Sequence, residues 1–132
     1  GNVKMRLPYQ NGQREGEAVM YHDNQNVHVT EHYENGQRNG VQKRYDTRGN
    51  LRSVLPYTNG VIDGQVLLYD QNGNTVARVT YENGHVTENT CTDLEGNLQR
   101  VSPLGLYQIE AGMRPVVCGV QALENLIATT TQ

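Results

Sequence analysis

The stretch from Tyr33 to Asn50, YENGQRNGVQKRYDTRGN, holds two different turn signals and the short run that joins them. Its landmarks return every 24 residues: Tyr9, Tyr33, Tyr57 and Tyr81; Gly12, Gly36, Gly60 and Gly84; Gly16, Gly40 and Gly64; Tyr21, Tyr45 and Tyr69; Asn2, Asn26, Asn50 and Asn74. A period of that length marks a solenoid, a propeller or a hairpin array, and it takes precedence over any local assignment of helix or strand. Residues 2–25, 26–49 and 50–73 are full units, 74–96 is a fourth that has lost one residue, and a fifth begins at Asn97 and fades. The expected division is thus a repeat array over 2–97 and a degenerate, capping segment over 98–132.

Within each unit the second half alternates. Leu51, Ser53, Leu55 and Tyr57 fall on one side, with Arg52, Val54 and Pro56 on the other, and Thr75, Ala77, Val79 and Tyr81 repeat the pattern. A period of two over seven residues describes a half-buried strand with its odd-numbered face inward. The first half, Gly40 to Tyr45 or Gly64 to Tyr69, supplies a second strand, so each unit is a β-hairpin. The stretch Asp46-Thr47-Arg48-Gly49-Asn50 fits a three-residue connection that ends in a left-handed glycine, which places Tyr45 opposite Leu51. The other connection, Asn-Gly at 11–12, 35–36, 59–60 and 83–84, is the strongest short hairpin signal. A two-residue turn there pairs Tyr33 with Arg38, so one extra residue must be absorbed before Tyr45. Gly40, like Gly16 and Gly64, is the expected bulge, or else the floor beneath a tyrosine ring. Gln25 stands where Gly49 and Gly73 stand, which forces a left-handed non-glycine into the first turn. Glu88 replaces the bulge glycine, and the regular array is expected to end there.

Beyond Ser102 the pattern dissolves through Pro103, Gly105, Gly112 and Pro115, and the spacing of Val120, Leu123 and Ile127 predicts a helix over about 117–129 that covers the last strand of the array. The fold class is therefore mostly β: an elongated antiparallel sheet of 24-residue hairpins capped at one end by a short C-terminal helix.

Composition narrows the function. Hydrophobic residues make up 36% of the 132, Phe and Trp are absent, and 8 Tyr carry all the aromatic area. With 14 acidic against 11 basic residues and no basic run, the chain lacks the clustered positive face that nucleic acid requires. No apolar run is long enough for a transmembrane span. The chain opens at Gly1-Asn2, inside the repeat pattern and without an initiator Met, which suggests an upstream segment removed on the way to a periplasmic or secreted location, with a cytoplasmic location as the runner-up.

No residue pattern points to catalysis. His28 and His32 lie four apart on one strand, about 13 Å by strand rise, too far to share a metal or a proton, and His22 and His85 read as surface residues. Asp46 and Asp70 start turns, one per loop, which is too sparse for a calcium site. No cofactor and no metal are expected. Cys91 and Cys118 leave three states open: two reduced thiols, which the reading favours, a disulfide that clamps the C-terminal segment to the last repeat, or a metal pair.

The recurring Tyr-x-Asn-Gly-x-x-x-Gly followed by Tyr-Asp-x-x-Gly-Asn resembles the bacterial MORN-type repeat, in the variant found in the YwqK antitoxin family. The residues that carry the likeness are Tyr9, Asn11, Gly12, Gly16 and Tyr21; Tyr33, Asn35, Gly36, Gly40, Tyr45, Asp46 and Gly49; Tyr57, Asn59, Gly60, Gly64, Tyr69, Asp70 and Gly73; and Tyr81, Asn83 and Gly84. The resemblance implies a twisted sheet used for binding, without catalysis, in proteins some of which are antitoxins or presumed immunity proteins beside secreted toxins. The expected partner is another protein, with a membrane- or surface-associated scaffold as the alternative. The candidate contact residues are Tyr21, Tyr33, Tyr45, Tyr57, Tyr69, Tyr81, Arg44 and Arg52, because Tyr and Arg concentrate interface energy. The same tyrosines are also candidates for the fold's own core.

Overall fold

A computed structural model of the chain describes residues 4–111 and Cys118. Thirteen strands run in chain order: β1 (Met5–Arg6), β2 (Tyr9–Gln10), β3 (Gln13–Arg14), β4 (Gly16–Tyr21), β5 (Val27–Glu34), β6 (Gln37–Arg38), β7 (Gly40–Tyr45), β8 (Leu51–Thr58), β9 (Val61–Ile62), β10 (Gly64–Tyr69), β11 (Thr75–Glu82), β12 (His85–Thr92) and β13 (Leu98–Gln99), followed by helix α1 (Pro103–Glu110). One antiparallel sheet takes them in the order β1-β4-β5-β7-β8-β10-β11-β12-β13, with β6 beside β5 and β9 beside β8, while β2 and β3 form a small hairpin of their own. Every neighbour in the sheet is thus a near neighbour in sequence, as the hairpin repeat requires.

Two turn types build it. At Asn35-Gly36, Asn59-Gly60 and Asn83-Gly84 both residues have positive φ, 52° and 83° in the first of these, the geometry that matches the right-handed twist of the flanking strands. Each such turn is tied to the one before it. The Gly36, Gly60 and Gly84 amides donate to the carbonyls of Arg14, Arg38 and Ile62 at 3.0, 2.7 and 2.9 Å. The Asn35, Asn59 and Asn83 amides donate to side-chain oxygens of Glu15, Asn39 and Asp63. In the other turn type Asp46 Oδ1 accepts from the amides of Arg48 and Asn50, and Asp70 and Asp93 do the same in the next two turns. The first turn has His22 in place of that aspartate and Gln25 in place of the glycine, and Gln25 is indeed left-handed at φ 72°.

The register separates two irregularities that the sequence runs together. From the Tyr33–Arg38 pair to the Thr30–Lys43 pair, β5 advances three residues and its partner five, so two extra residues enter around Asn39-Gly40. That even number leaves the faces unchanged. The single extra residue that exchanges them sits beside Tyr45 instead: Tyr45 pairs with Leu51 and Arg44 with Ser53, leaving Arg52 between them. A Cβ on Gly40 would meet His32 Cβ at 3.3 Å, and one on Gly64 would meet Pro56 Cγ at 3.0 Å, both on the face away from the tyrosines.

The inward rows follow from this register. One runs Ala18, Glu31, Gln42, Leu55, Val66, Val79, and beside it lies Tyr33, Tyr57, Tyr81. Toward the C-terminal end Leu55, Ile62, Val66, Leu68, Ala77, Val79, Tyr81 and Cys91 join Val101 and, from α1, Ile109 in one buried apolar cluster. In the fourth unit Glu88 replaces the glycine and the strand is not split: β12 is continuous, and one residue, Thr87, bulges between the Val86–Tyr81 and Glu88–Thr80 pairs. The odd shift there offsets the missing residue and turns Cys91 inward opposite Ala77.

The short C-terminal helix lies at 103–110, where the sequence reading has only a fading repeat; the helix expected over 117–129 lies outside the described residues. Pro103 acts as a start and not a breaker. It occupies the first turn, where its missing N–H is no loss, and Ser102 Oγ caps the helix by accepting from the Gly105 amide at 3.0 Å. Among the described residues no helix is long and apolar enough to cross a membrane. A disulfide joins Cys91 to Cys118 with the Cα atoms 5.9 Å apart, whereas the sequence reading favours two free thiols. The pairing follows from the turned strand: once Cys91 points into the core cluster that holds Val101, it meets Cys118, which bridges to Val101.

Candidate interaction surface

The tyrosines named from the sequence form two series with different surroundings. Tyr33 and Tyr81 are buried at 3% and 1% exposure, and Tyr57 is half-buried between them in the row. Tyr21, Tyr45 and Tyr69 stand at the strand ends before the aspartate-type turns, one per hairpin, all half-buried. Each pairs with the first residue of the following strand, Val27, Leu51 and Thr75.

The turns beneath this second series are laced together. His22 Nε2 lies 2.9 Å from the Tyr45 carbonyl, Asn24 and Asn26 both donate to the Thr47 carbonyl, and Arg52 Nε donates to the Tyr69 carbonyl at 2.9 Å. Arg52 also reaches Asp46 Oδ2 at 3.5 Å, so this arginine serves the turn-to-turn contact. Between two successive turns Leu51, Tyr69 and Gly73 line a shallow cleft of 440 Å³. The aspartates that close the turns are held below the usual carboxylate range, Asp46 and Asp70 chiefly by the amides of Asn50 and Asn74.

Around Tyr33 the structure assembles a polar network absent from the candidate residues above except for Tyr33 and Arg44. Glu31 is buried at 3% exposure. It accepts from the Tyr33 hydroxyl at 2.6 Å, from Arg38 Nε at 3.1 Å and from Gln42 Nε2 at 2.6 Å. Arg44 Nε donates in turn to Gln42 Oε1 at 3.0 Å, and Arg14 donates to the Tyr33 hydroxyl at 3.3 Å. The guanidiniums interleave with the rings. Arg14 lies 5.3 Å from the Tyr33 centroid, and Arg38 lies 6.0 Å from Tyr33 and 5.6 Å from Tyr57, within cation–π range.

Burial alone would raise the Glu31 pKa, but the Tyr33 hydroxyl, the Arg38 charge and the Gln42 amide outweigh it and hold the carboxyl below its ordinary value. The network therefore contains an ionised glutamate with its charge answered. Tyr33 is raised by burial and by its bond to Glu31. Burial, with Glu110 adding to it, pushes Tyr81 up to about 12, and its hydroxyl has no hydrogen-bond partner among the described residues. Both tyrosines stay neutral at physiological pH.

Glu31, Arg38 and Gln42 are each 24 residues from Leu55, Ile62 and Val66. Setting the units beneath one another would have exposed three polar residues at apolar positions, the one sequence signal for the network. His22 and His28 stack at 4.2 Å between ring centroids, a contact across the first turn that spacing along one strand does not reveal. Among the described residues no group of three or more His, Cys, Asp or Glu is arranged to hold a metal ion.

Residues 38–59 and 62–86 match a family model described as the MORN repeat variant. The likeness to the MORN repeat thus spans two adjacent repeats of the chain. Each matched segment runs from the exit of one Asn-Gly turn to the next such turn, so the family's unit is the hairpin built on Asp46 or Asp70. MORN repeats are non-catalytic modules for binding and scaffolding. No curated protein matches the chain.

Proposed function

We propose that this chain is a protein-binding repeat module of bacterial origin that neutralises a toxin encoded beside it, as an antitoxin or immunity protein. The observation that carries the reading is the row of Tyr21, Tyr45 and Tyr69. These rings are half-exposed, come one per hairpin, and rest on turns cross-linked by His22, Asn24, Asn26 and Arg52. Amphipathic rings on a rigid support contribute large contact area with little entropy lost on binding. The disulfide between Cys91 and Cys118 supports an extracytoplasmic location, where such bonds persist. Tyr57 and Arg44, half-buried on the tyrosine face, extend the proposed contact surface, while Tyr33, Tyr81 and Arg52 support it from within.

The test is binding of the purified chain to the product of the adjacent gene, with rescue of cells that express that product. Saturable binding that weakens about tenfold or more in Tyr45→Ala and Tyr69→Ala, both still folded by circular dichroism, is the expected result. Absence of binding together with absence of rescue overturns the reading. Flotation with anionic vesicles that falls off with salt would instead support the membrane-scaffold alternative, which the net charge of −3 opposes.

A further inference from the structure

The face of the sheet away from the tyrosines carries a second cleft, of 470 Å³, whose lining includes Gln65, Arg78, Thr80, Glu88, Thr90 and Arg100. Its floor is set by register. Thr80 pairs with Gln65 on one side and Glu88 on the other, and Arg78 pairs with Thr90. Its wall comes from the break in the repeat, because the one-residue bulge at Thr87 occurs where Glu88 stands in place of the glycine. Bulges re-aim side chains and bend the strand that carries them. In the earlier unit with Gly40 at this position two residues enter instead of one, and the strand is split there.

Among the described residues, Arg78 and Arg100 make no ion pair and no side-chain hydrogen bond. Arg14, Arg38, Arg44 and Arg52 are each committed to a partner within the fold, and Arg6 and Arg48, which like Arg78 and Arg100 make no such contact among the described residues, lie outside this cleft. Two uncommitted guanidiniums therefore share one concave site with Thr80, Thr87 and Thr90 and with the carboxamide of Gln65. Glu88 lies in the row next to the Arg78–Thr90 pair, so the site carries a net single positive charge.

We propose that this cleft binds a small polar carboxylate, gripped by Arg78 and Arg100, with the threonine hydroxyls and Gln65 receiving the polar groups beside it. Guanidinium forks match the planar carboxylate, and a phosphate dianion would set a second negative charge beside Glu88 and cost more to take out of water than a monoanion does. The lining has no aromatic side chain, which distinguishes it from a stacking platform for a neutral ring. The site is independent of the tyrosine rows and stands whether or not they bind a protein.

The experiment is an NMR titration of the whole folded chain with N-acetyl-L-glutamate, acetate, inorganic phosphate and, at matched ionic strength, chloride. Saturable shifts at the Arg78 and Arg100 side chains and the Thr90 amide are expected with the carboxylates. R78Q and R100Q should each weaken binding roughly tenfold, the scale of a charge-assisted hydrogen bond lost. R78K, which keeps the charge without the fork, should fall between, E88Q should tighten binding, and R48Q in an exposed turn should change nothing. A short peptide with one internal glutamate separates the two sources of the ligand: tighter binding than acetate assigns an acidic side chain of a protein, and equal binding assigns a free acid. Shifts that rise linearly without saturation, equal losses in R48Q and R78Q, or tighter binding of phosphate at pH 8 than of either carboxylate would each overturn the proposal. Amide spectra of the variants show directly whether they remain folded.

Discussion

The same face of the same sheet is filled in two ways. Around β5 to β7 it holds Glu31, Arg38, Gln42 and Arg44; one repeat later the equivalent positions hold Leu55, Ile62, Val66 and Leu68. The backbone hardly differs, since the Ala18–Glu31 and Val66–Val79 pairs occupy equivalent places in their hairpins. Register is therefore imposed by the turns and the glycines, and the inward row can then be filled with either a hydrogen-bonded ion network or hydrocarbon. Ser53, buried without a hydrogen-bond partner among the described residues, marks the boundary between the two halves.

The sharpest way to break this parallel is to move the glutamate. Val79 lies two repeats beyond Glu31 and is fully buried, while Val86 stands where Arg38 stands. V79E places a carboxylate there without a cation, and should destabilise the protein by about 4 kcal/mol or more in urea unfolding. Removing the staple from the apolar half is next. C91S/C118S opens a crosslink spanning 27 residues and should cost about 3–4 kcal/mol by loop entropy. Amide exchange should show the loss in the third and fourth units before the first two.

In the polar half, E31A leaves Arg38 and Gln42 without their acceptor. The expected loss is about 2–3 kcal/mol, less than for a pair buried on both sides because Arg38 is 43% exposed. The triple variant E31L/R38I/Q42V imports three of the third repeat's four residues and leaves the half-buried Arg44 in place. It should be as stable as the parent or up to about 2 kcal/mol more stable, because an apolar replacement of equal shape removes the desolvation cost along with the network. The two should also differ in acid. Glu31 is depressed in the folded state, so its contribution is complete above the unfolded value of about 4.3 and is lost as pH falls through the folded one. Below about pH 4 the parent should therefore lose stability faster than the triple variant, as read by thermal melts across pH.

The smallest effect belongs to the first turn. Q25G relieves a left-handed non-glycine at φ 72° and should stabilise by about 1 kcal/mol, measured by the urea midpoint.

What could be read from the sequence follows the same division. Asn-Gly and Asp-x-x-Gly-Asn specify backbone angles locally, so the hairpins, their pairing of Tyr45 with Leu51 and the inward odd face of β8 and β11 were legible. The exchange of faces beside Arg52 was not, because an unpaired residue at a strand end has no side-chain signature. Helix α1 was hidden by reading Pro103 and Gly105 as breakers, although Ser102-Pro103 is a start signal. Glu31 reads as an ordinary surface residue until the units are laid over each other, because its burial depends on Arg38 and Gln42 arriving from two other strands. The half-exposed character of Tyr21, Tyr45 and Tyr69, as opposed to Tyr33 and Tyr81, depends on that same change of face and is beyond what alternation can tell.

The bonds from Gly36, Gly60 and Gly84 to Arg14, Arg38 and Ile62 each reach back by one hairpin and no further. A gene could therefore gain or lose a block of 24 codons between two such links and leave every remaining junction chemically intact. Lengthening the array would alter how far its surface extends without redesigning any part of it, and the ends, where the pattern decays, would be the places where variation has to be solved anew.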